Sequence, residues 1–318
     1  MVCSTPEFAS RAVWDRGVKV QQQAPGWTTT EIRSGPTPVK PRRSRTWRRF
    51  SKNRLSVIGL AFIVALVLTA LLANQVAPYR PLATNFLAIY QPPSWQHWLG
   101  TDALGRDMLS RIIFSLRNAC IVGFGAEVVE LTVGLLLGST AGLIGGTLDT
   151  ILMRVVDVVY GFPTFLFSII LVVMIGHTIL AILIAVSATS WVGMARIVRS
   201  QVMQVRQSGY IEHARQMGAS TWQTLVRYVL PNSMGPVLVA VTFGIPANMM
   251  SEAALSVVGL GIQPPTPDLG QLIIIGQASV LSYPYLLIWP ALLFALTLLS
   301  FSFVGDGLRN VFDAKSGR

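Results

Sequence analysis

Residues 201–236 read QVMQVRQSGYIEHARQMGASTWQTLVRYVLPNSMGP, a polar island between two apolar runs. The pattern is two short helices around Gly218. In the first, Tyr210, Ala214 and Met217 recur at i, i+4 and i+7, which is one helical face. Glu212 and Arg215 stand three apart on another face and can pair weakly. Gly218 is placed to end this helix, because glycine enters a left-handed backbone without steric cost. Ser220 or Thr221 can cap the next helix, in which Trp222, Leu225 and Val229 recur at helical spacing. Pro231 follows at the start of an apolar run, where its missing N–H costs nothing. A short amphipathic helix ended by a glycine turn makes a docking knob for a partner; an ordinary interfacial helix is the plainer alternative.

Outward from this island, six apolar runs approach the roughly 20 residues that a membrane span needs: 55–77, 118–144, 151–175, 179–197, 232–250 and 285–304. The fold class is therefore an all-α integral membrane protein with about six transmembrane helices. Pro163, Pro246 and Pro290 fall inside runs, which membrane helices tolerate because neighbouring groups satisfy the freed carbonyls. A weaker patch at 269–275 is too short to span and reads as interfacial or re-entrant. Composition agrees: the chain is 52% hydrophobic and only 12% charged, with a mean hydropathy of +0.55.

The net charge of +11 is uneven. Residues 1–54 hold twelve Lys/Arg against three Asp/Glu, and the rest of the chain holds thirteen against eleven. The basicity thus belongs to a tail and implies no nucleic-acid partner. Residues 1–44 mix Pro, Ser, Gln and Arg without apolar period and are expected to be a disordered basic tail. Over 50 mostly polar residues precede the first apolar run, unlike a secretory signal. Trp47, Arg48, Arg49, Phe50, Lys52 and Arg54 form a basic-aromatic patch suited to a lipid surface. Placing the tail in the cytoplasm puts Arg196, Arg199, Arg206, Arg215 and Arg227 inside with it, and the C-terminus as well. Residues 45–117 then comprise the first span and an extracytoplasmic loop, and 118–318 the transmembrane core.

Several charged residues stand out. Glu127 and Glu130 share a face of the second run; an intramembrane carboxylate usually faces a cavity or a partner, and a path-lining role and a buried pair, for example with Arg154, stay equally open. Arg154 and Asp157, three apart, read as a structural ion pair. Asp102, Arg106, Asp107 and Arg111 are expected on or beside an amphipathic helix at the outer interface, in contact with a partner or anchored there with Trp95 and Trp98. Gly134, Gly138 and Gly142 repeat every four residues, a helix-packing pattern. His97, His177 and His213 lack metal-ligand spacing, and Cys3 and Cys120 imply no disulfide framework. No nucleophile constellation recurs, so no enzymatic chemistry is expected.

The island resembles the cytoplasmic coupling motif of ABC importer permeases. Glu212, Ala214, Gly218, Leu230 and Pro231 fall in register with that motif, while His213 and Tyr228 depart from it. Glu252, Ala253 and Ala254 spell its first letters but lack the Gly and the Leu-Pro that follow. The first loop, with Pro92, Pro93 and Ser94, the run 97–102 (HWLGTD), Gly105, Arg106, Asp107, Ser110 and Arg111, is similar to C-type permeases of the dipeptide, oligopeptide and nickel importers. So are Arg154, Asp157 and Pro163, the stretch 255–267, and Gly305, Asp306, Gly307, Leu308 and Arg309. The resemblance covers about residues 45–315 and implies a type I ABC importer permease fold with a coupling helix at about 208–218. It implies ATPase coupling through Tyr210, Glu212, Ala214, Arg215, Met217 and Gly218. It also implies a homologous B-type permease partner, two cytoplasmic ABC ATPases, an extracytoplasmic substrate-binding protein and residence in a prokaryotic plasma membrane. The chain has no phosphate-binding Gly-x4-Gly-Lys-Ser/Thr loop, so ATP is expected to be used by partner subunits and no cofactor bound by this chain. Peptides are the favoured cargo, with nickel complexes or glutathione as alternatives; a stand-alone secondary transporter is the reading from another class.

Overall fold

The structure, a computed structural model, describes residues 47, 48 and 50–316; the tail 1–44 lies outside them. Among the described residues, nine helices of eight residues or more carry the architecture: α1 (Arg54–Leu71), α2 (Met108–Ile144), α3 (Gly146–Tyr160), α4 (Thr164–Ile175), α5 (Ile179–Arg206), α6 (Gly209–Gln216), α7 (Thr221–Val257), α8 (Leu269–Ala278) and α9 (Tyr285–Ser316). Five are long and apolar enough to cross a membrane singly, and α3 with α4 makes up to six. Helix starts are set by side-chain caps: Asn53 accepts from Leu55 N–H, Asp107 from Ser110 N–H and Thr178 from Ala181 N–H.

Every span differs from its apolar run: the first helix ends at Leu71 and not at 77, the fifth covers Thr221–Val257, the sixth continues to Ser316, and the other three change the reading more. The second begins at Met108 rather than 118, so the expected interfacial helix is the first turns of α2 itself, and the boundary placed at 117 falls mid-helix. At 37 residues α2 is about 55 Å long, against a hydrocarbon core of about 30 Å, so its ends stand beyond the apolar layer. The third run is not one helix: α3 and α4 meet at 77°. Gly161 N–H is shared among the carbonyls of Asp157, Val158 and Val159, and Pro163, without an N–H, starts the next helix at a new angle. The fourth continues nine residues past 197 to Arg206, because Arg196 and Arg199 find acidic partners on α3 instead of ending the helix.

Close backbone approach holds the bundle together. A Cβ on Gly138 would lie 2.5 Å from Ala195 O, and Gly134 and Gly142 meet Met194 and Arg199 of the same helix, so the four-residue repeat is the α2–α5 seam. Ser56 Oγ donates to Phe303 O at 2.7 Å and fixes α1 antiparallel to α9. The start of α1, the end of α5, α6, the start of α7 and the end of α9 thereby share one end of the bundle, the α6 end. The loop 72–107, α8 and the start of α9 share the other, the α8 end.

Candidate functional site

At the α6 end, Ile211 is the one buried side chain among the described residues of α6. Ile211 packs into a cluster with Val202, Leu225 and Val229, while Tyr210, Glu212 and Met217 are exposed, Met217 by 82%. The side chains of Ala214 and Arg215 lie outside the described residues. Gly218 has φ +89, with nothing near the Cβ it lacks; the glycine is there for its backbone, not for space. Ser220 and Gln223 then form a reciprocal capping box. The next segment runs into α7 without a break, but through a π-helical stretch, Thr224–Val229. Met203, Arg206, Gln207, Ser208, Ile211 and Glu212 line a hollow of about 450 Å³ beside α6. The arrangement is a short helical knob with an exposed face, followed by a capped helix start. Ile211 was not singled out in the sequence, although its place between Tyr210 and Glu212, off the Tyr210 face, was the available signal.

At the α8 end, the charged residues expected on an outer surface point inward. Arg106 Nε donates to Asp102 Oδ2 at 2.7 Å, and Arg111 Nη1 donates to the same oxygen. Asp102 also accepts from the N–H groups of Leu104 and Arg106. Asp107 Oδ2 accepts from Ser110 N–H and Oγ–H, and its Oδ1 lies 3.0 Å from His97 Nδ1. Asp102 and Arg111 are each 2% exposed and Asp107 3%. These residues tie the loop to the start of α2, and Tyr285 O–H ties it to α9 through Thr101 O. Phe86, Leu87, Trp95 and Trp98 are exposed on the loop, beside Arg80, Asn85 and Gln96.

Between the two ends, Asn248 of α7 donates to Glu127 Oε2 at 3.3 Å and Glu130 Oε2 at 3.4 Å. The Glu127 carboxylate occupies the space over Gly244, where a Cβ would come within 2.0 Å of it. Their partner is therefore Asn248 and not Arg154, which is exposed on α3. The expected pairing of Arg154 with Asp157 is also replaced. Asp157 takes Arg196 at 2.7 Å, with that guanidinium 4.1 Å above the Tyr160 ring, and Asp149 takes Arg199 through two hydrogen bonds. A helix i, i+3 pair is a weak local option; the facing helix α5 offers better geometry.

One buried group went unrecognised. Glu252, set aside above because it only begins the coupling pattern, is 1% exposed with neither oxygen hydrogen-bonded. Asp268 lies beside it and accepts from Ser256 Oγ–H and Ile262 N–H, folding the 258–268 loop back onto α7. The available signal was an acid in an apolar run next to a loop, 251–284, without any Lys or Arg. Among the described residues no group of three or more His, Cys, Asp or Glu could hold a metal ion.

Comparison with known proteins now bears on this geometry. Residues 134–318 match the family described as binding-protein-dependent transport system inner membrane component. The chain belongs to this family. Residues 42–93 of the permease match the N-terminal TM domain of oligopeptide transport permease C. The permease is 38% identical to the oligopeptide transport system permease protein OppC of Bacillus subtilis, over 84% of this chain and 88% of that one. It is 37% identical to the dipeptide transport system permease protein DppC of the same organism (86% and 85%). With the glutathione transport system permease protein GsiD of Pectobacterium atrosepticum the figure is 36% (85% and 90%). In fold it is similar to a chain of the MetNI methionine ABC transporter in inward-facing conformations, with a TM-score of 0.54 and 20% identity over 64% of this chain and 97% of that one. The fold is that of type I ABC importer permeases, and the family works with ATPase and binding-protein partners.

Proposed function

We propose that this permease forms half of a peptide translocation path, completed by a homologous B-type permease, and that α6 couples the pair to two cytoplasmic ABC ATPases. The observation that carries the reading is the knob itself: a short helix anchored by buried Ile211, ended by a left-handed glycine and exposing Tyr210, Glu212 and Met217. In this reading the α6 end, with both termini, is cytoplasmic, in keeping with the Lys/Arg distribution. Residues 1–44 are its tail, and the first span and extracytoplasmic loop run to Asp107, where α2 opens the core. Hydrolysis of ATP belongs to the partner subunits.

The names of OppC and DppC favour di- or oligopeptides as cargo. GsiD favours a second reading, glutathione, itself a tripeptide. The polar group of Glu127, Glu130 and Asn248 is the candidate lining of the path. Arg154 lies exposed near the bridges from Asp149 and Asp157 that fasten α3 to α5. The loop braced by Asp102, Arg106, Asp107 and Arg111 offers Trp95 and Trp98 to the binding protein.

The test is reconstitution of the full transporter in liposomes with its binding protein. Glu212→Lys and Gly218→Pro are expected to leave membrane insertion intact while ATP hydrolysis and peptide uptake become uncoupled. Uptake by this chain alone, without ATP and indifferent to both changes, would sink the reading.

A further inference from the structure

The segment leading into α1 builds a feature that neither coupling nor transport uses. Trp47 stacks on Phe50 with ring centroids 5.9 Å apart. Phe50 is buried against Gly307, where a Cβ would come within 2.8 Å of its ring. An apolar furrow of about 490 Å³ runs between the start of α1 and the end of α9, with Trp47, Phe50, Leu60, Val304, Leu308 and Val311 among its walls. Val304, Leu308 and Val311 recur at i, i+4 and i+7, one face of α9. Leu60 lies six residues beyond Arg54 along α1, about 9 Å of helical rise. The furrow therefore starts at the level of Arg54 and continues into the apolar layer. Behind it the helices are locked by the Ser56 bond to Phe303 O and by Gly59, whose missing Cβ would meet Ser300 O at 2.8 Å. Whatever fills the furrow comes from outside this helix pair.

The level of Arg54 is positively charged. Arg48, Lys52 and Arg54 are all exposed, and no Asp or Glu occurs between Glu31 and Asp102. Asp306, the acid of α9 whose side chain is described, stands two residues from Val304, about 200° round the helix. A neutral lipid would fill the furrow and leave the three cations uncompensated. A soluble anion would meet the cations and leave the furrow empty. An amphiphile with a negative head satisfies both, and the cytoplasmic leaflet is rich in such lipids.

We propose that this furrow seats one anionic phospholipid, with an acyl chain along Leu60, Val304 and Leu308 and its phosphate held by Arg48, Lys52 and Arg54. The site rests on the cytoplasmic placement of the α6 end and is independent of the cargo.

The test is native mass spectrometry of the assembled, delipidated transporter titrated with phosphatidylglycerol or phosphatidylcholine. One phosphatidylglycerol adduct is expected at concentrations where phosphatidylcholine gives none. Arg48→Gln, Lys52→Gln and Arg54→Gln should each weaken it, by about fivefold per charge. Leu308→Trp, which fills the furrow and keeps every charge, should abolish it, with subunit stoichiometry in the same spectra as the folding control. Retention in Leu308→Trp would reduce the site to diffuse surface charge and overturn the proposal. So would a site that opens only when residues 1–44 are deleted, since the tail would then be the occupant. The measurement is blind to transport, so a negative result leaves the coupling reading standing.

Discussion

The loop at the α8 end and the connector at the α6 end are both polar segments between spans, yet they use charge in opposite ways. In the loop, Asp102, Asp107 and Arg111 are buried and bonded to one another or to backbone, and aromatic rings face outward. In the connector, Glu212 is exposed and one isoleucine is buried. Inward charge braces the loop, because Asp102 and Asp107 each accept several hydrogen bonds in a buried place. Outward charge leaves the connector tolerant in folding and sensitive in function. The contrast teaches that charge density in a loop does not mark a contact surface until burial is known.

This contrast can be broken experimentally. Arg111→Met should have the largest effect, because it leaves Asp102 buried with a lost partner, a cost of about 3–5 kcal/mol. Collapse of yield and of thermal stability in detergent is expected, and an unchanged unfolding midpoint would contradict the buried-network account. Gly218→Val should cost less, about 1–2 kcal/mol for a side chain in left-handed backbone, with a coupling defect out of proportion to the loss of stability. That disproportion is read by comparing stimulated ATPase activity with the unfolding midpoint. Ser220→Ala removes one half of the capping box and should lower stability by about 1 kcal/mol. Smallest of all, Asp157→Asn breaks an exposed bridge to Arg196 worth about 0–1 kcal/mol, and a shift clearly above that range would show that the α3 bridges carry the fold.

Much of this was legible in the sequence, for reasons that also explain the rest. Hydropathy located the spans because lipid selects for it directly. The short helix at Gly209–Gln216 lies inside the stretch 208–218 marked by apolar spacing and a terminal glycine. Helix ends were misplaced wherever charge continues a helix, as with Arg196 and Arg199, whose partners on α3 lie 39 and 50 residues away. Prolines were equivocal. Pro246 and Pro290 sit inside continuous helices, whereas Pro163, two residues after the Gly161 that ends α3, opens α4. The bonding of Asp102 to Arg111 spans nine residues and follows no helical period, so only the folded loop reveals it. Glu252 was hidden by its own letters, which suggested a docking motif where the fold makes a buried acid.

The elbow between α3 and α4 acts as a compass. Its backbone leaves the helical ladder at residues 161–163, between two helices that together are long and apolar enough for one span. Hydrocarbon does not tolerate irregular backbone, which survives at that depth only against protein or water. Phe162 is nonetheless exposed on this chain. Where α3 and α4 cross the bilayer as one span, the side of the subunit that carries the elbow faces protein or water and not lipid, and the bearing of every other face follows from it.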